Sequence, residues 1–325
     1  MEKQDLRIIF MGTPEFAVGT LSRLVEQQYQ VVAVVTQPDK PVGRHQNELQ
    51  PSAVKTYAIE HGIPVLQPVK MKDPDFVAEL DSYNADIQVV VAFRMLPEVV
   101  WSMPRFGTFN VHAALLPQYR GAAPINWAII NGETETGVTT FFLDHNIDTG
   151  RIILQRRFPI PDDADVEYVY DGLMQLGAEI ATDTLDLVMS SHGHIEAKDQ
   201  DEFTKSQNTL HPAPKIFKGT CQIDWNQPAK RVYDFVRGLS PYPGAWTTLN
   251  YNNRPSALKL FHTSKNTEVV GTVAPGTIRT RHSQLFIACQ DNWLEILDLQ
   301  LSGKKRMSAR DFINGNRDID TATVD

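Results

Sequence analysis

The sequence contains little cysteine and no long hydrophobic run. Its 325 residues include 2 cysteines, Cys221 and Cys289, which are too few for a disulfide framework and stand in no metal-type spacing. No apolar stretch approaches the ~20 residues that a membrane-spanning helix needs. The beginning, MEKQDLRIIF, has no apolar core followed by a small-residue cleavage site, as a signal peptide would have. We therefore expect a cytoplasmic protein without disulfides and without a membrane anchor.

Several catalytic and cofactor motifs are also absent. The first turn between strand and helix, MGTPEFAVG, lacks the G-x-G-x-x-G pattern of dinucleotide sites. There is no G-x-S-x-G nucleophile motif and no H-E-x-x-H zinc motif, and SHGH at 191–194 is interpreted as a solvated helix end. These absences disfavour a dinucleotide cofactor, a covalent serine intermediate and a catalytic metal.

Charge is distributed unevenly along the chain. The whole sequence has a formal net charge of −8, which by itself disfavours a polyanionic partner. Residues 208–325 hold 15 Lys and Arg against 10 Asp and Glu, a net charge of +5, so residues 1–207 carry −13. This asymmetry suggests that the two parts face different partners, although drift in surface composition explains it equally well.

Strand and helix patterns alternate through residues 1–207. Thr13 with Pro14, Ser52, and Asp73 with Pro74 are typical of helix starts. Short apolar runs at 29–37, 86–93 and 106–113 predict buried strands, the stretches 137–144 and 150–160 predict a hairpin, and 165–190 has helical periodicity. The alternation predicts an α/β domain with a mostly parallel sheet and helices on both faces.

The pattern changes after residue 207. One helix is predicted near 228–237, and short apolar runs separated by Gly and Pro turns follow from 245 onward. Such runs are typical of a small OB-type β-barrel, so residues 208–325 are predicted to form a second, smaller domain. The end of the chain, GNRDIDTATVD, is expected to fray.

The stretch FNVHAALLPQYRGAAP (109–124) carries polar residues where a strand ends. Asn110 and His112 lie two residues apart, so both side chains point to one face of the strand, while Phe109, Val111 and Ala113 point to the other. In open α/β sheets ligands bind beyond the carboxyl ends of the strands. An Asn at a strand end also serves ordinary turn chemistry, and a single His is often only a satisfied polar residue.

A third group strengthens the functional interpretation. The predicted hairpin turn DHNIDTG carries Asp144 and Asp148, and a carboxylate there would fix the tautomer of an imidazole and favour its charged form. Asn, His and Asp without a covalent nucleophile suit direct transfer between two bound substrates. Asn110 and protonated His112 would donate hydrogen bonds to an oxyanion, and Asp148 would organise proton transfer.

The N-x-H strand, the run LLPQYRGAAPINWAIINGETETGVT and the DTG of the hairpin resemble the 10-formyltetrahydrofolate-dependent formyltransferases. The likeness covers almost the whole chain, including FMGTPEFAV, TQPDKPVGR, APKIFKGTCQIDW, GLSPYPGAW and GKKRMSARDF. It implies a Rossmann-like, folate-binding catalytic domain (1–207), followed by an OB-type domain (208–325) that binds tRNA. It also implies that Asn110, His112 and Asp148 are catalytic and that no metal is required.

The resemblance implies binding residues as well. The segment Ala114–Leu115–Leu116–Pro117 would lie along the folate, although Ala114 replaces the usual Ser. Arg94, Met95 and Leu96 stand at the rim of the pterin pocket, where a Tyr-Gly pair is common in the family.

The tRNA partner is expected to contact two basic groups. The long loop 37–51 would offer Lys40 and Arg44 to the acceptor arm of the tRNA, and this loop is often more basic in the family. The charge count adds Lys304, Lys305 and Arg306, which lie together in a predicted turn of the basic second domain. A solvated turn is the plain alternative for that cluster.

The resemblance implies transfer of the formyl group of 10-formyltetrahydrofolate to the α-amino group of methionine on initiator tRNA. Two alternatives remain at this stage: formylation of an amino-sugar nucleotide by the same trio, and a tRNA-binding module without catalysis. The working assumption is a monomer.

Overall fold

The computed structural model describes the chain except for residues 43–47 and 205–208. It forms two compact units: Met1–Gly121, Thr136–Phe158 and Tyr170–Pro212 make the first, and Ala122–Glu135, Pro159–Val169 and Ala213–Asp325 the second. The domain boundary expected between 207 and 208 lies outside the described residues and stays a prediction. Two stretches that sequence analysis placed in the first domain, 122–135 and 159–169, belong to the second unit.

The first unit is built on a seven-stranded sheet in the order β5-β2-β1-β6-β7-β8-β9. The neighbours from β5 to β7 are parallel, and β7 pairs with β8 antiparallel. The strands of this part of the chain are β1 (Arg7–Gly12), β2 (Gln30–Val35), β3 (Lys40–Val42), β4 (Glu48–Gln50), β5 (Val65–Leu66), β6 (Ile87–Val91), β7 (Thr108–His112), β8 (Glu135–Phe142) and β9 (Ile152–Pro159). The predicted Rossmann-like sheet with an added hairpin is confirmed.

The helices of the same part of the chain begin close to where capping residues predict. They are α1 (Glu15–Glu26), α2 (Ala53–Glu60), α3 (Pro74–Ser82), α4 (Glu98–Trp101), α5 (Pro124–Ile130), α6 (Val166–Ser190) and α7 (Asp201–Thr204). Ser52 accepts the backbone N–H of Lys55, and Asp73 accepts that of Asp75, as expected for N-caps. At α1 the expectation is wrong by one residue: Pro14 is the N-cap, and the Thr13 hydroxyl bonds no described residue.

Helices cover both faces of the first sheet. On one face, Ile9, Met11 and Val90 form a core cluster with Phe76 and Leu80 of α3. On the other, α6 lies against the sheet, and the hydroxyls of Thr140 and Thr184 are 2.9 Å apart. Asn110 pairs in register with Val90, so its side chain lies on the α3 face.

The long connection after β2 begins and ends as a short hairpin. Lys40 pairs with Gln50 and Val42 with Glu48, so β3 and β4 form a two-stranded antiparallel ribbon. Its base is tied to the first unit, because Lys55 Nζ lies 2.6 Å from Asp39 Oδ2 and Thr36 Oγ1 lies 2.7 Å from Ser52 Oγ. The predicted loop is therefore an anchored ribbon where it is described.

The second unit is built on an antiparallel sheet in the order β12-β13-β14-β11-β10-β16, with β15 on β14. Thr277, next to β12, and Thr323 of β16 form an isolated bridge, which curls the sheet into an antiparallel half-barrel, as expected for the predicted β-barrel domain. Its strands are β10 (Ala245–Tyr251), β11 (Arg254–Val269), β12 (Ile278–Arg281), β13 (Gln284–Ala288), β14 (Asn292–Leu301), β15 (Met307–Ser308) and β16 (Thr323–Val324), and its helices after β9 are α8 (Ala229–Arg237) and α9 (Ala309–Gly315).

The end of the chain is ordered, so the expectation that it frays is wrong. Ile319, Ala322 and Val324 are buried in the core of the second unit, and β16 pairs with β10. These three apolar residues supply the burial that outweighs the entropy of ordering the tail.

Both cysteines are buried and free, as the absence of a disulfide framework predicts. Burial raises the pKa of the Cys289 thiol to about 12 and also raises that of Cys221. Among the described helices, none is long and apolar enough to cross a membrane.

Candidate active site

The polar end of β7 forms the centre of the candidate site. Phe109, Val111 and Ala113 are buried on one face, as the alternation predicts. Asn110 is half-buried on the opposite face, and no described hydrogen bond involves its side chain. His112 is on the same face and only 6 % exposed. The strand therefore presents one amide without a partner and one buried imidazole at its carboxyl end.

The orientation of the His112 ring is set by a backbone carbonyl. Its Nε2 lies 2.9 Å from the carbonyl oxygen of Tyr119. Because a carbonyl oxygen only accepts, Nε2 carries the hydrogen, and the neutral ring keeps its lone pair on Nδ1. That Nδ1 lies 3.9 Å from Asp148 Oδ2, which is an ion-pair distance and too long for a direct hydrogen bond.

The turn that contains Asp148 sets the orientation of its carboxylate. Its backbone has a φ of +55°, in the left-handed region, and its Oδ2 accepts the backbone N–H of Gly121 at 2.9 Å. The carboxylate is thus held by Gly121 while it faces the imidazole of His112. The expectation that Asp148 fixes the tautomer of His112 is wrong, since the Tyr119 carbonyl does so. His112 and Asp148 do lie together, and Asn110 is on the same face of β7 as His112, while the catalytic roles of the three stay predictions.

Gln200 is a supporting residue that sequence analysis missed. It is 3 % exposed, and its Nε2 donates to the carbonyls of Asp148 and Gly150 at 2.9 and 2.8 Å. Its Oε1 accepts from the guanidinium of Arg120. Gln200 lies 52 residues from Asp148 in a polar stretch, so no local pattern signals this role. It holds the turn that positions the carboxylate.

The segment predicted to lie along the folate is pinned to β8 and β9. Thr139 Oγ1 donates to the Ala114 carbonyl at 2.7 Å and accepts the backbone N–H of Leu116 at 3.1 Å. Gln155 Nε2 donates to the Leu116 carbonyl and to the same hydroxyl. Ala114, Leu116 and Pro117 are buried, and Leu115 is half-buried. The hydroxyl of Thr139 on β8 therefore anchors the segment 114–117, which follows β7.

Replacing Thr139 with Val is expected to lower the free energy of unfolding. The change removes the hydroxyl that bonds the carbonyl of Ala114 and the backbone N–H of Leu116. Each buried group left without a partner costs about 1–3 kcal/mol. The resemblance implies that Ala114 and Leu116 lie along the folate, and on that prediction the variant also raises the KM for the donor, because both residues lose their anchor. Urea denaturation and initial rates measure both effects.

Thr136 is a matched control on the same strand. It is 3 % exposed, and its hydroxyl has no partner among the described residues. Thr136→Val should therefore leave stability unchanged or slightly higher. Equal losses of stability in the two variants would contradict the anchoring role of Thr139.

The three residues predicted at the pterin rim differ in their surroundings. Met95 is 70 % exposed, whereas Leu96 is 7 % exposed and packs in a core cluster. Arg94 donates to the carbonyls of Pro68 and Val69, and its Nε is buried without a described partner. Burial lowers the pKa of Arg94. Met95 thus offers apolar surface and Arg94 a hydrogen-bond donor, whereas Leu96 packs in the core. The contacts of all three residues with folate stay predictions.

The residues predicted to contact tRNA also differ. Lys40, Lys304 and Lys305 are exposed, and none forms a described ion pair. Arg306 pairs with Asp298 at 2.5 Å, and its guanidinium lies 4.4 Å from the centre of the Phe261 ring. Its positive charge is therefore already balanced by a carboxylate. Arg44 lies outside the described residues. The described residues contain no group of three His, Cys, Asp or Glu that could hold a metal ion.

Comparison with known proteins identifies the family. Residues 6–185 match the family model described as formyl transferase, and residues 215–317 match that of the formyl transferase C-terminal domain. The chain is 59 % identical over 326 residues to the methionyl-tRNA formyltransferase of Parabacteroides distasonis, covering 100 % of both chains. It is 55 % identical to the methionyl-tRNA formyltransferase of Bacteroides fragilis, covering 97 % of this chain and 96 % of the relative.

A solved structure shares the fold. WlaRD, a sugar 3N-formyl transferase crystallised in the presence of dTDP and 5-N-formyl-THF, superposes with a TM-score of 0.64 at 19 % identity, covering 92 % of this chain and 99 % of that one. At this identity the likeness shows the fold alone. The family models and the full-length relatives carry the assignment: the chain belongs to the formyl transferase family and, within it, to the methionyl-tRNA formyltransferases.

Proposed function

We propose that this chain transfers the formyl group of 10-formyltetrahydrofolate to the α-amino group of methionine carried by initiator tRNA. The observation that carries the proposal is the full-length match to enzymes named methionyl-tRNA formyltransferase, at 59 % identity for the first of them. The trio at the end of β7 supplies groups suited to acyl transfer without a nucleophile or a metal. A folate-type donor is part of this proposal, and the family model that matches residues 6–185 is that of the formyl transferases.

The proposed reaction is a direct displacement at the formyl carbon. The amine nitrogen forms a bond to that carbon, and the bond from the carbon to N10 of the folate breaks. The amine loses one proton and N10 gains one, so the reaction needs no external acid or base. The chain's own task is to hold the oxyanion that forms at the formyl oxygen and to move this proton.

Asn110 and His112 are assigned to the oxyanion. The Asn110 side chain is half-buried and takes part in no described hydrogen bond, so its N–H₂ group is assigned as a donor to the oxyanion. His112 has one open ring nitrogen, Nδ1, because Nε2 bonds Tyr119. A proton on Nδ1 makes the ring an imidazolium that donates to the oxyanion, and the Asp148 carboxylate 3.9 Å away stabilises that charge.

The segment 114–117 and Met95 are assigned to the pterin ring of the folate. Met95 is exposed and Leu115 is half-buried, so each has apolar surface that a pterin ring could cover. The buried Nε of Arg94 has no partner in the described part of the chain and would donate to a ring oxygen or nitrogen. These features support a folate site and do not depend on the Ser that the family usually has in place of Ala114.

The two alternative functions receive less support. The full-length relatives are named for methionyl-tRNA and not for an amino sugar, and a binding module would not need an intact trio. A cytoplasmic location and a monomeric state stay part of the proposal.

An acceptor panel tests the function directly. The chain is incubated with 10-formyltetrahydrofolate and either methionyl initiator tRNA or a dTDP-linked amino sugar, and the formylated acceptor is quantified by mass spectrometry. We expect formyl-methionine on the tRNA and none on the sugar. Formyl transfer to the sugar alone would overturn the proposal, and no transfer to either acceptor would leave only the binding module.

Lys304 and Lys305 are expected to contact phosphates of the tRNA. Replacing both with Ala should raise the KM for methionyl-tRNA and flatten its dependence on log salt by about 0.7 to 0.9 per lost contact. Rates with varied folate donor should not change, because the trio lies in the first unit. Steady-state rates at several salt concentrations measure the slope.

Arg306→Ala is the contrasting variant from the same turn. It removes one positive charge, from a side chain that already pairs with Asp298 and covers Phe261. We expect lower stability and little change in the salt slope. An unchanged slope in the double lysine variant would show that the cluster is a solvated turn.

A further inference from the structure

Arg120 lies between the two backbone groups that hold His112 and Asp148. The carbonyl oxygen of Tyr119, the residue before it, lies 2.9 Å from His112 Nε2. The backbone N–H of Gly121, the residue after it, donates to Asp148 Oδ2 at 2.9 Å. A shift of the backbone at Arg120 would therefore move the imidazole and the carboxylate relative to one another.

The side chain of Arg120 is held by the buried amide of Gln200. The Nε and Nη2 atoms of the guanidinium donate to the same oxygen, Gln200 Oε1, at 3.0 and 2.6 Å. Gln200 Nε2 donates in the opposite direction, to the carbonyls of Asp148 and Gly150 at 2.9 and 2.8 Å. The amide thus joins the segment that carries Arg120 to the turn that carries Asp148.

These contacts require a neutral amide at position 200. Both hydrogens on Gln200 Nε2 face carbonyl oxygens and its Oε1 faces a guanidinium, so a flipped amide would place acceptors against acceptors and donors against donors. A glutamate would keep the acceptor for Arg120, but it would turn a carboxylate oxygen toward the two carbonyls. The residue type therefore matches the two directions of the contact.

Two residues bonded in this network have backbones in the left-handed region. Tyr119 has a φ of +58° and Asp148 a φ of +55°. This conformation is disfavoured for residues that have a side chain, most of all for a bulky one such as Tyr119, and it persists only where surrounding contacts hold it. The contacts between Arg120 and Gln200 lie between these two residues and supply such support.

We propose that Arg120 and Gln200 are positioning residues that set the 3.9 Å separation between His112 Nδ1 and Asp148 Oδ2. Both act through His112 and Asp148 and not on a substrate. The proposal rests on the proposed function, which gives those two residues their roles in catalysis. Because positioning affects an interaction made in the transition state, loss of either side chain lowers kcat and leaves KM unchanged.

Three variants break the contact in different ways. Gln200→Glu keeps an acceptor for Arg120 and removes the two donors to the Asp148 turn. Arg120→Met removes the guanidinium, and Arg120→Lys keeps its charge but replaces the two donors by a single ammonium group. Each is assayed as the full chain with methionyl-tRNA and 10-formyltetrahydrofolate, and thermal melting confirms that it folds.

Two controls repeat the substitutions elsewhere in the first unit. Gln88→Glu matches Gln200→Glu, because Gln88 is also fully buried, near the amino-terminal end of β6, and its Nε2 has no partner among the described residues. Arg7→Lys matches Arg120→Lys, because the half-buried guanidinium of Arg7 donates to backbone carbonyls at the amino-terminal end of β1. Both controls should keep the kcat of the wild type.

We expect Gln200→Glu and Arg120→Met to lower kcat by about 10², which is the cost of a misplacement of about 1 Å. Arg120→Lys should lose less, since one donor to Gln200 remains. The KM for each substrate should not change. In a chain that already carries Asp148→Asn, Gln200→Glu should have little further effect, because the carboxylate that it positions is gone.

The ring of His112 reports the geometry without any substrate. With ¹⁵N-labelled histidine, the ring signals of His112 are assigned by comparison with His112→Gln. We expect these signals to shift in Gln200→Glu and in Arg120→Met, because the Tyr119 carbonyl that bonds the ring moves. They should stay in place in Gln88→Glu.

Three results would overturn the proposal. They are wild-type kcat in folded Gln200→Glu and Arg120→Met, an equal loss of kcat in the matched controls, and a loss from Gln200→Glu that is undiminished beside Asp148→Asn. If Gln200→Glu does not fold, the two Arg120 variants decide the question. Failure of the proposed function looks different: the wild type would not formylate methionyl-tRNA, while the His112 signals would still respond to Arg120→Met.

Discussion

Replacing Asn110 with Ala is expected to lower kcat by about 10²–10³, with folding intact. Loss of one oxyanion donor costs roughly 2.7–4 kcal/mol of transition-state stabilisation, because a donor aimed at the developing charge is lost. The fold should survive, since the Asn110 side chain is half-buried and bonds no described residue. Steady-state rates with methionyl-tRNA and thermal melting measure both parts of this expectation.

Asn146→Ala is the matched control for Asn110. Asn146 is exposed in the turn between β8 and β9, and only its backbone N–H makes a described hydrogen bond, to Asp144. We expect rates close to those of the wild type. If Asn110→Ala also retains wild-type turnover while folded, Asn110 has no part in the mechanism.

Replacing Asp148 with Asn is expected to reduce kcat by about 10²–10⁴, the range that a positioned group in proton transfer contributes. The Asp148 carboxylate lies 3.9 Å from His112 Nδ1, so it attracts positive charge that develops on the ring during the reaction. The neutral amide loses that attraction. Its oxygen can still accept the Gly121 N–H, so the turn should keep its shape.

Asp144→Asn separates this effect from a general change in the turn. Asp144 lies in the same turn and accepts bonds from Asn146 and Thr149, but it forms no described ion pair with His112. Pre-steady-state rates of formyl transfer should fall for Asp148→Asn and not for Asp144→Asn. Equal rates in both variants would show that the charge of Asp148 does not act on the imidazole.

Local signals in the sequence predict much of the fold. The short apolar runs, together with the caps at Ser52 and Asp73, predict most of the first sheet and two of its helices, because both depend on neighbouring residues. The alternation around Asn110 and His112 predicts their shared face, since successive strand residues always point to opposite sides.

The remaining features depend on contacts between distant residues. Gln200 bonds the Asp148 turn from 52 positions away, and the carbonyl of Tyr119 reaches the His112 ring through a bend in the segment between them. The polar composition of the C-terminal segment GNRDIDTATVD predicts disorder. Its residues Ile319 and Val324 nevertheless pack in the core of the second unit, whose other residues come from distant parts of the chain. No local propensity encodes such pairings, so only the folded structure reveals them.

The path of the formyl group tests the central claim most directly. In a single turnover, 10-formyltetrahydrofolate carrying a ¹⁴C-labelled formyl group is mixed with excess enzyme, first alone and then with methionyl initiator tRNA. Direct transfer predicts no label on the protein at any time, and one labelled formyl-methionyl-tRNA for each tetrahydrofolate released. Label on the protein before the tRNA is added, or tetrahydrofolate released without formyl on the tRNA, would contradict the account.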